Sequence, residues 1–203
     1  MSRPTAVVFD VGNVLYRWEP ERAFRSLVPD AADRARLLRD VVTPAWHFQH
    51  DAGRPFAETA AELTARHPAE AAAIAAWGPN FLDTITGPVA GMPELVAELV
   101  ARDVPLFAIT NFSGEFWGPF VAREADFFAV FRDIVVSGDE RVTKPDPAIY
   151  ALALDRFGLA APRAVFVDDV AANVAGAEAV GMGGLLFTDA ATLRNDLIRL
   201  GLL

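Results

Sequence analysis

The chain has 203 residues, 53% of them hydrophobic, which suits one well-buried α/β core with a modest inserted module and excludes a disordered chain. No stretch reaches the roughly 18 to 20 uninterrupted apolar residues of a membrane span, and a formal charge of −9 disfavours nucleic acid and anionic membranes, which call for a basic footprint. The absence of cysteine excludes disulfides and thiolate metal sites and fits a reducing, cytoplasmic setting; no signal-peptide core precedes Asp10.

Taken in chain order, Ala6-Val7-Val8-Phe9 is an apolar run of strand length. From residue 17 to residue 86 the pattern is helix after helix, with no convincing strand: Glu19 to Leu27, Asp30 to about His50, Phe56 to His67, and Ala69 to about Thr84. Gly87-Pro88 and Gly91-Met92-Pro93 mark a hinge where this segment returns. A helix from Pro93 to Arg102 follows, with Leu95, Val96, Leu99 and Val100 on one face. Leu106 to Ile109 and Ile134 to Val136 read as strands, and Asp146-Pro147 starts a helix that Gly158 ends. Ala164 to Val167 is a strand, Val170 to Val180 a helix that stops at Gly181, and Leu185 to Phe187 a strand. Asp189 caps a last helix reaching Gly201.

The strand runs are continuous rather than alternating, as in parallel strands buried on both faces. Strand alternating with helix predicts an α/β fold built on a doubly wound parallel sheet. The expected division is a core of residues 1–16 and 87–203, with an all-helical cap, residues 17–86, inserted after the first strand.

Ligands of open α/β sheets bind outside the carboxyl ends of the strands. Asp10 follows the first strand, Thr110-Asn111 the second, and Asp168-Asp169 the fourth, so three strand ends deliver polar residues to one crevice. Lys144, the only lysine among 18 basic residues, precedes a helix at the same edge. Clustered carboxylates repel one another unless a cation intervenes, and an all-oxygen site with room for water suits Mg²⁺ better than zinc. Mg²⁺ works alongside phosphates, which gives Lys144, Thr110 and Asn111 the task of holding phosphoryl oxygens, and Asp10 that of attacking phosphorus.

Phe9-Asp10-Val11-Gly12-Asn13-Val14-Leu15, Ile109-Thr110-Asn111, Lys144-Pro145-Asp146-Pro147, and Val167-Asp168-Asp169 with Asn173 and Gly176 resemble, in order and spacing, the four motifs of the haloacid dehalogenase-like hydrolase superfamily. The helical insert is similar to that family's first-type cap. The resemblance implies a Rossmann-like core, Asp10 as nucleophile, and phosphate contacts from Thr110, Asn111 and Lys144. It also implies Mg²⁺ ligation by Asp10, the backbone carbonyl of Gly12, and Asp168 or Asp169. Most phosphatases of the family carry a second Asp two residues after the nucleophile as general acid and base. Gly12 stands there in this chain, and losing such a group costs about 10²–10⁴-fold in rate.

Three readings of Gly12 remain open. The Asp-x-Gly-Asn-Val pattern resembles bacterial sugar-1-phosphate phosphatases, whose leaving group needs less protonation; His47 or His50 of the cap supplies the proton; or the reaction is not phosphate hydrolysis. Trp18 and Trp46 are expected to line the pocket or to pack the cap, and His47, His50 and Asp51 to serve either substrate or structure. The function expected is Mg²⁺-dependent hydrolysis of a small phosphorylated molecule, with a sugar phosphate as the class implied. The alternatives are a 2-haloacid dehalogenase, which needs no acid and no metal, and a non-catalytic binding module of the same fold. The Asp168-Asp169 pair argues against the former, and the intact Asp10, Lys144 and Asp168 against the latter.

Overall fold

The computed structural model describes residues 3–203, so the first two residues of the expected core segment 1–16 lie outside it. β1 (Ala6–Phe9) leads into β2 (Tyr16–Trp18), after which come α1 (Ala31–Asp40), α2 (Pro44–Asp51), α3 (Phe56–Arg66) and α4 (Ala71–Ala76), and then β3 (Ile85–Pro88). The chain continues through α5 (Met92–Val100), β4 (Leu106–Thr110), α6 (Gly114–Arg123), α7 (Ala125–Phe128), β5 (Asp133–Val136) and α8 (Ser137–Glu140). It closes with α9 (Pro147–Phe157), β6 (Ala164–Asp168), α10 (Ala171–Ala179), β7 (Gly183–Leu186) and α11 (Ala190–Leu200).

Five strands form one parallel sheet in the order β5-β4-β1-β6-β7. β1 is central, with Val7 paired to Leu106 on one side and to Val165 on the other. All four of its residues are buried, which explains why it reads as an unbroken apolar run. Its side chains alternate between two cores. Val7 and Phe9 join the larger core, which extends into the helical insert, while Ala6 and Val8 pack with Ile149, Tyr150 and Ala177 of α9 and α10. Helices thus cover both faces, as the sequence predicts. The strand order also sets the carboxyl ends of β4, β1 and β6 side by side.

The segment between β1 and α5 departs from expectation in three places. β2 and β3 pair antiparallel, Arg17 opposite Gly87, so the edges of the 17–86 segment are a two-stranded ribbon and Gly87-Pro88 belongs to a strand. The single helix expected from Asp30 to His50 is two helices. Pro44 has no N–H to continue α1 and disfavours a helical Thr43, whose hydroxyl instead accepts the Trp46 N–H (3.1 Å) and caps α2. The stretches Glu19 to Leu27 and Ala69 to Thr84 hold mostly 3₁₀ turns, Pro20–Phe24, Pro68–Glu70 and Phe81–Thr84, with α4 between the last two.

The insert is pinned to the core at the end of α2. The Ser137 hydroxyl donates to the Asp51 carbonyl (2.6 Å) and accepts from the Phe112 N–H (3.0 Å), and all three residues are buried. Around this pin an aromatic cluster crosses the boundary, with Phe81 stacked on Phe116 (4.4 Å between ring centres) and edge-on to Phe112 (5.4 Å). Among the described residues no helix is long and apolar enough to cross a membrane.

Candidate active site

Asp10 sits just past β1, its N–H donating to the Val167 carbonyl (2.8 Å), so the sheet itself fixes the backbone that carries the carboxylate. The side chain is nearly closed off, with Asp10 8% exposed and Lys144 2% exposed. Lys144 Nζ lies 2.7 Å from Asp10 Oδ1 and 2.6 Å from Asp168 Oδ2, bridging the ends of β1 and β6. Asn111 positions this lysine through its main chain: Oδ1 accepts the Lys144 N–H (2.9 Å), and Nδ2 donates to the Lys144 carbonyl (3.1 Å). The amide expected to hold phosphate therefore also fixes the backbone of the lysine expected to do so.

Burial pushes the Asp10 carboxyl up to about 6; Lys144 pulls it back and Asp168 pushes it further up. For Lys144 burial works against the charged form, yet the carboxylates of Asp10 and Asp168 hold it above the ordinary lysine value. Near neutral pH both charges are present, a carboxylate beside an ammonium.

Asp10, Asp168 and Asp169 each offer an oxygen within 4.8 Å of the others, a group able to hold a metal ion. Their roles differ. Asp168 is fully buried and its oxygens are already occupied: Oδ2 by Lys144, Oδ1 by the Val170 N–H (2.8 Å), and both by Asn173 Nδ2 (3.1 Å each). Asp169 is half-buried, and its carboxyl is raised by burial and by the charge of Asp168. Asn13 Oδ1 accepts the Trp18 N–H (3.1 Å), tying the loop after β1 to the ribbon, and its side chain pulls the Asp169 carboxyl back down. Its φ of 55° is a left-handed value that asparagine tolerates better than most residues. Thr110 Oγ1, at the end of β4, is buried and has no hydrogen-bond partner, as a hydroxyl awaiting a ligand would be.

Beside this polar centre opens a cleft of about 100 Å³ that continues into open solvent. Gly12 and Asn111 form its polar floor; Tyr16, Trp18, Phe81, Ile85, Phe112 and Phe120 make a mostly apolar wall; the exposed Arg17 of β2 stands at its edge, and His47 and Asp51 descend from α2. Gly12 does not owe its place to backbone strain or crowding, since its φ is not left-handed and a Cβ there would meet nothing within 4 Å.

The four cap residues singled out in the sequence part company. Trp18 and His47 line the cleft. Trp46 and His50 turn into the cap, where Trp46 Nε1 donates to the Thr59 carbonyl (3.2 Å) and His50 Nε2 is hydrogen-bonded to Thr59 Oγ1 (2.6 Å). His47 and His50 thus do not face one ligand together. Burial holds His47 down at about 3 and His50 at about 4, so both are neutral at physiological pH. Sequence reasoning missed Asn13 as an anchor and the aromatic wall. The wall comes from four separate segments, and no local pattern connects them.

The family model for haloacid dehalogenase-like hydrolases matches residues 4–181. The chain belongs to this family of hydrolases. It is 30% identical over 189 residues to a sesquiterpene phosphatase of Aspergillus oryzae, an alignment covering 91% of this chain and 90% of that protein. With flavin mononucleotide hydrolase 1 of Arabidopsis thaliana it shares 33% identity over 112 residues, 55% of this chain but only 45% of the plant protein. The fold matches that of a family enzyme from Bacteroides thetaiotaomicron crystallised with magnesium and inorganic phosphate, at a TM-score of 0.67 and 17% identity, covering 92% of this chain and 95% of that one. The donor set of Asp10, Asp168 and Asp169, all hard oxygens, fits magnesium in this chain too.

Proposed function

We propose that this hydrolase is a phosphomonoesterase in which Asp10 takes the phosphoryl group of a small ester whose alcohol part is apolar. The observation that carries this reading is a buried Asp10–Lys144–Asp168 array opening onto a cleft walled by aromatic side chains. Asp10 attacks phosphorus in line, the P–O bond to the alcohol breaks, and water then cleaves the aspartyl-phosphate to release inorganic phosphate. Lys144 offsets charge on the phosphoryl oxygens, and the unpartnered Thr110 hydroxyl and the remaining amide hydrogen of Asn111 donate to them. Asp10, the Gly12 carbonyl and Asp169 are the ligands proposed for Mg²⁺, with Asp168 given over to orienting Lys144 and Asn173. When bound, Mg²⁺ supplies further neutralisation of the phosphoryl charge.

The cleft wall favours an apolar ester, such as a prenyl phosphate, over the sugar phosphate implied by the sequence pattern, because a sugar's hydroxyls would find few partners on that wall. The A. oryzae relative's name, sesquiterpene phosphatase, points the same way. The three-carboxylate cluster counts against a dehalogenase, which has no use for a metal site. Phosphate release from farnesyl phosphate and from glucose 1-phosphate, each with Mg²⁺, tests the reading. We expect kcat/KM to favour the prenyl ester by about a hundredfold or more, several methylenes of apolar burial at about tenfold or less each. A preference for the sugar ester would refute the substrate class, and release from neither would refute the phosphatase.

A further inference from the structure

Gly12 leaves the site without the acid that an alkyl leaving group needs, and neither His47 nor His50, both held neutral by burial, is charged to give a proton. We propose that Asp51, the last residue of α2, is the general acid and base of this active site, supplied by the helical insert in place of the carboxyl missing at position 12. The proposal rests on the phosphatase reading above.

Asp51 lines the same cleft as Gly12 and Asn111, yet is only 7% exposed. Its Oδ1 is buried with no hydrogen-bond partner; the nearby imidazole nitrogen, His47 Nε2, stands at 3.6 Å, beyond hydrogen-bond range. A buried carboxyl oxygen left unpaired is costly, and such groups are retained where a ligand completes them. The carboxyl does not hang from a loose lid. Its own carbonyl is held by Ser137 Oγ at 2.6 Å, and the Ser113 N–H approaches its carboxylate from the loop after β4. Across from it, the space next to Gly12 is free for a leaving group, since even a Cβ there would touch nothing.

The groups that face Asp51 agree with this assignment. Burial, and then the charge of Asp10, push its carboxyl up to about 8, while Lys144 and the Ser113 N–H pull less strongly the other way. From its own helix His47 faces it as a neutral ring. Asp51 therefore holds its proton at neutral pH. As the P–O bond to the alcohol breaks, Asp51 gives that proton to the departing oxygen and becomes a carboxylate. When water attacks the aspartyl-phosphate, the carboxylate takes a proton from the water, and Asp10 leaves as a carboxylate. One water is consumed, alcohol and inorganic phosphate are formed, and Asp51 ends protonated as it began.

Asp51→Asn keeps the shape and removes the proton. With Mg²⁺, kcat/KM of this variant for an alkyl or prenyl phosphate, which reports the leaving-group step and not the later hydrolysis common to all esters, should fall about 10²–10⁴-fold, whereas kcat/KM for p-nitrophenyl phosphate, whose leaving group needs little protonation, should lose about tenfold or less. Retained kcat/KM on the activated ester shows that the variant is folded. The double variant Gly12→Asp/Asp51→Asn should regain part of the alkyl-ester rate, since the new side chain has room. Equal losses of kcat/KM on both esters, or none on the alkyl ester, would overturn the role of Asp51 while leaving the phosphatase reading intact. Failure of the unaltered protein on both esters would overturn the two together.

Discussion

Replacing Lys144 by methionine removes a buried cation and keeps an unbranched side chain of similar length. At an effective dielectric constant of about 20, the ammonium attracts Asp10 and Asp168 by about 6 kcal/mol each across 2.7 and 2.6 Å. Much of that is offset by the cost of burying the ammonium, so the net loss expected is that of breaking one partner out of a buried array, about 3–5 kcal/mol. The loss should depend on pH. Lys144 pulls the Asp10 carboxyl down, so without it Asp10, already raised to about 6 by burial, rises further. The folded variant then binds a proton at neutral pH that the unfolded chain does not, and its stability declines as pH rises. Urea unfolding followed by tryptophan fluorescence should show a small deficit near about pH 5 and the full deficit near about pH 8.5. A deficit below about 1 kcal/mol at the higher pH, or one equal at both, would refute the charged array as the element holding the strand ends together.

If Asp51 is the acid, the rate on a poor leaving group should fall as pH rises through about 8, where Asp51 loses its proton, and Asp51→Asn should lack that alkaline limb. Gly176→Ala would bring a Cβ to 2.8 Å from the Pro145 carbonyl and 2.9 Å from the Tyr150 ring. We expect a loss of about 1–3 kcal/mol in thermal or urea unfolding, with reduced turnover because the loop carrying Lys144 must shift. Phe81→Ala opens the cleft wall, and kcat/KM for a prenyl phosphate should fall about tenfold or more while that for a short alkyl phosphate changes little.

The candidate site is legible because its parts lie at the ends of strands that announce themselves. Asp10 follows a strand of four residues and Asp168 ends one of five, both buried on both faces, and such runs cannot be mistaken for solvated alternation. The α2 boundary was written in Pro44 and Thr43, but the apolar periodicity of Val41 and Val42 hid it by joining both helices into one core. The β2–β3 ribbon escaped notice because strands of three and four residues, one holding Gly87 and Pro88, fall below what a period of two can reveal. α6 carries Pro119 within it and was passed over between β4 and β5. Asp51 and Gly12 were each visible in the sequence; that one faces the cleft beside the other depends on how the insert docks through Ser137, which no local pattern encodes.

The most direct test of the account is to incubate a ³²P-labelled ester with Mg²⁺ and either the unaltered protein or Asp10→Asn, quench in acid, and measure both phosphate released and label left on the chain. The account predicts a labelled chain and steady release for the unaltered protein, and for Asp10→Asn no label and a rate lower by about 10³-fold or more, as for loss of a covalent nucleophile. Phosphate release by Asp10→Asn at the unaltered rate would contradict it.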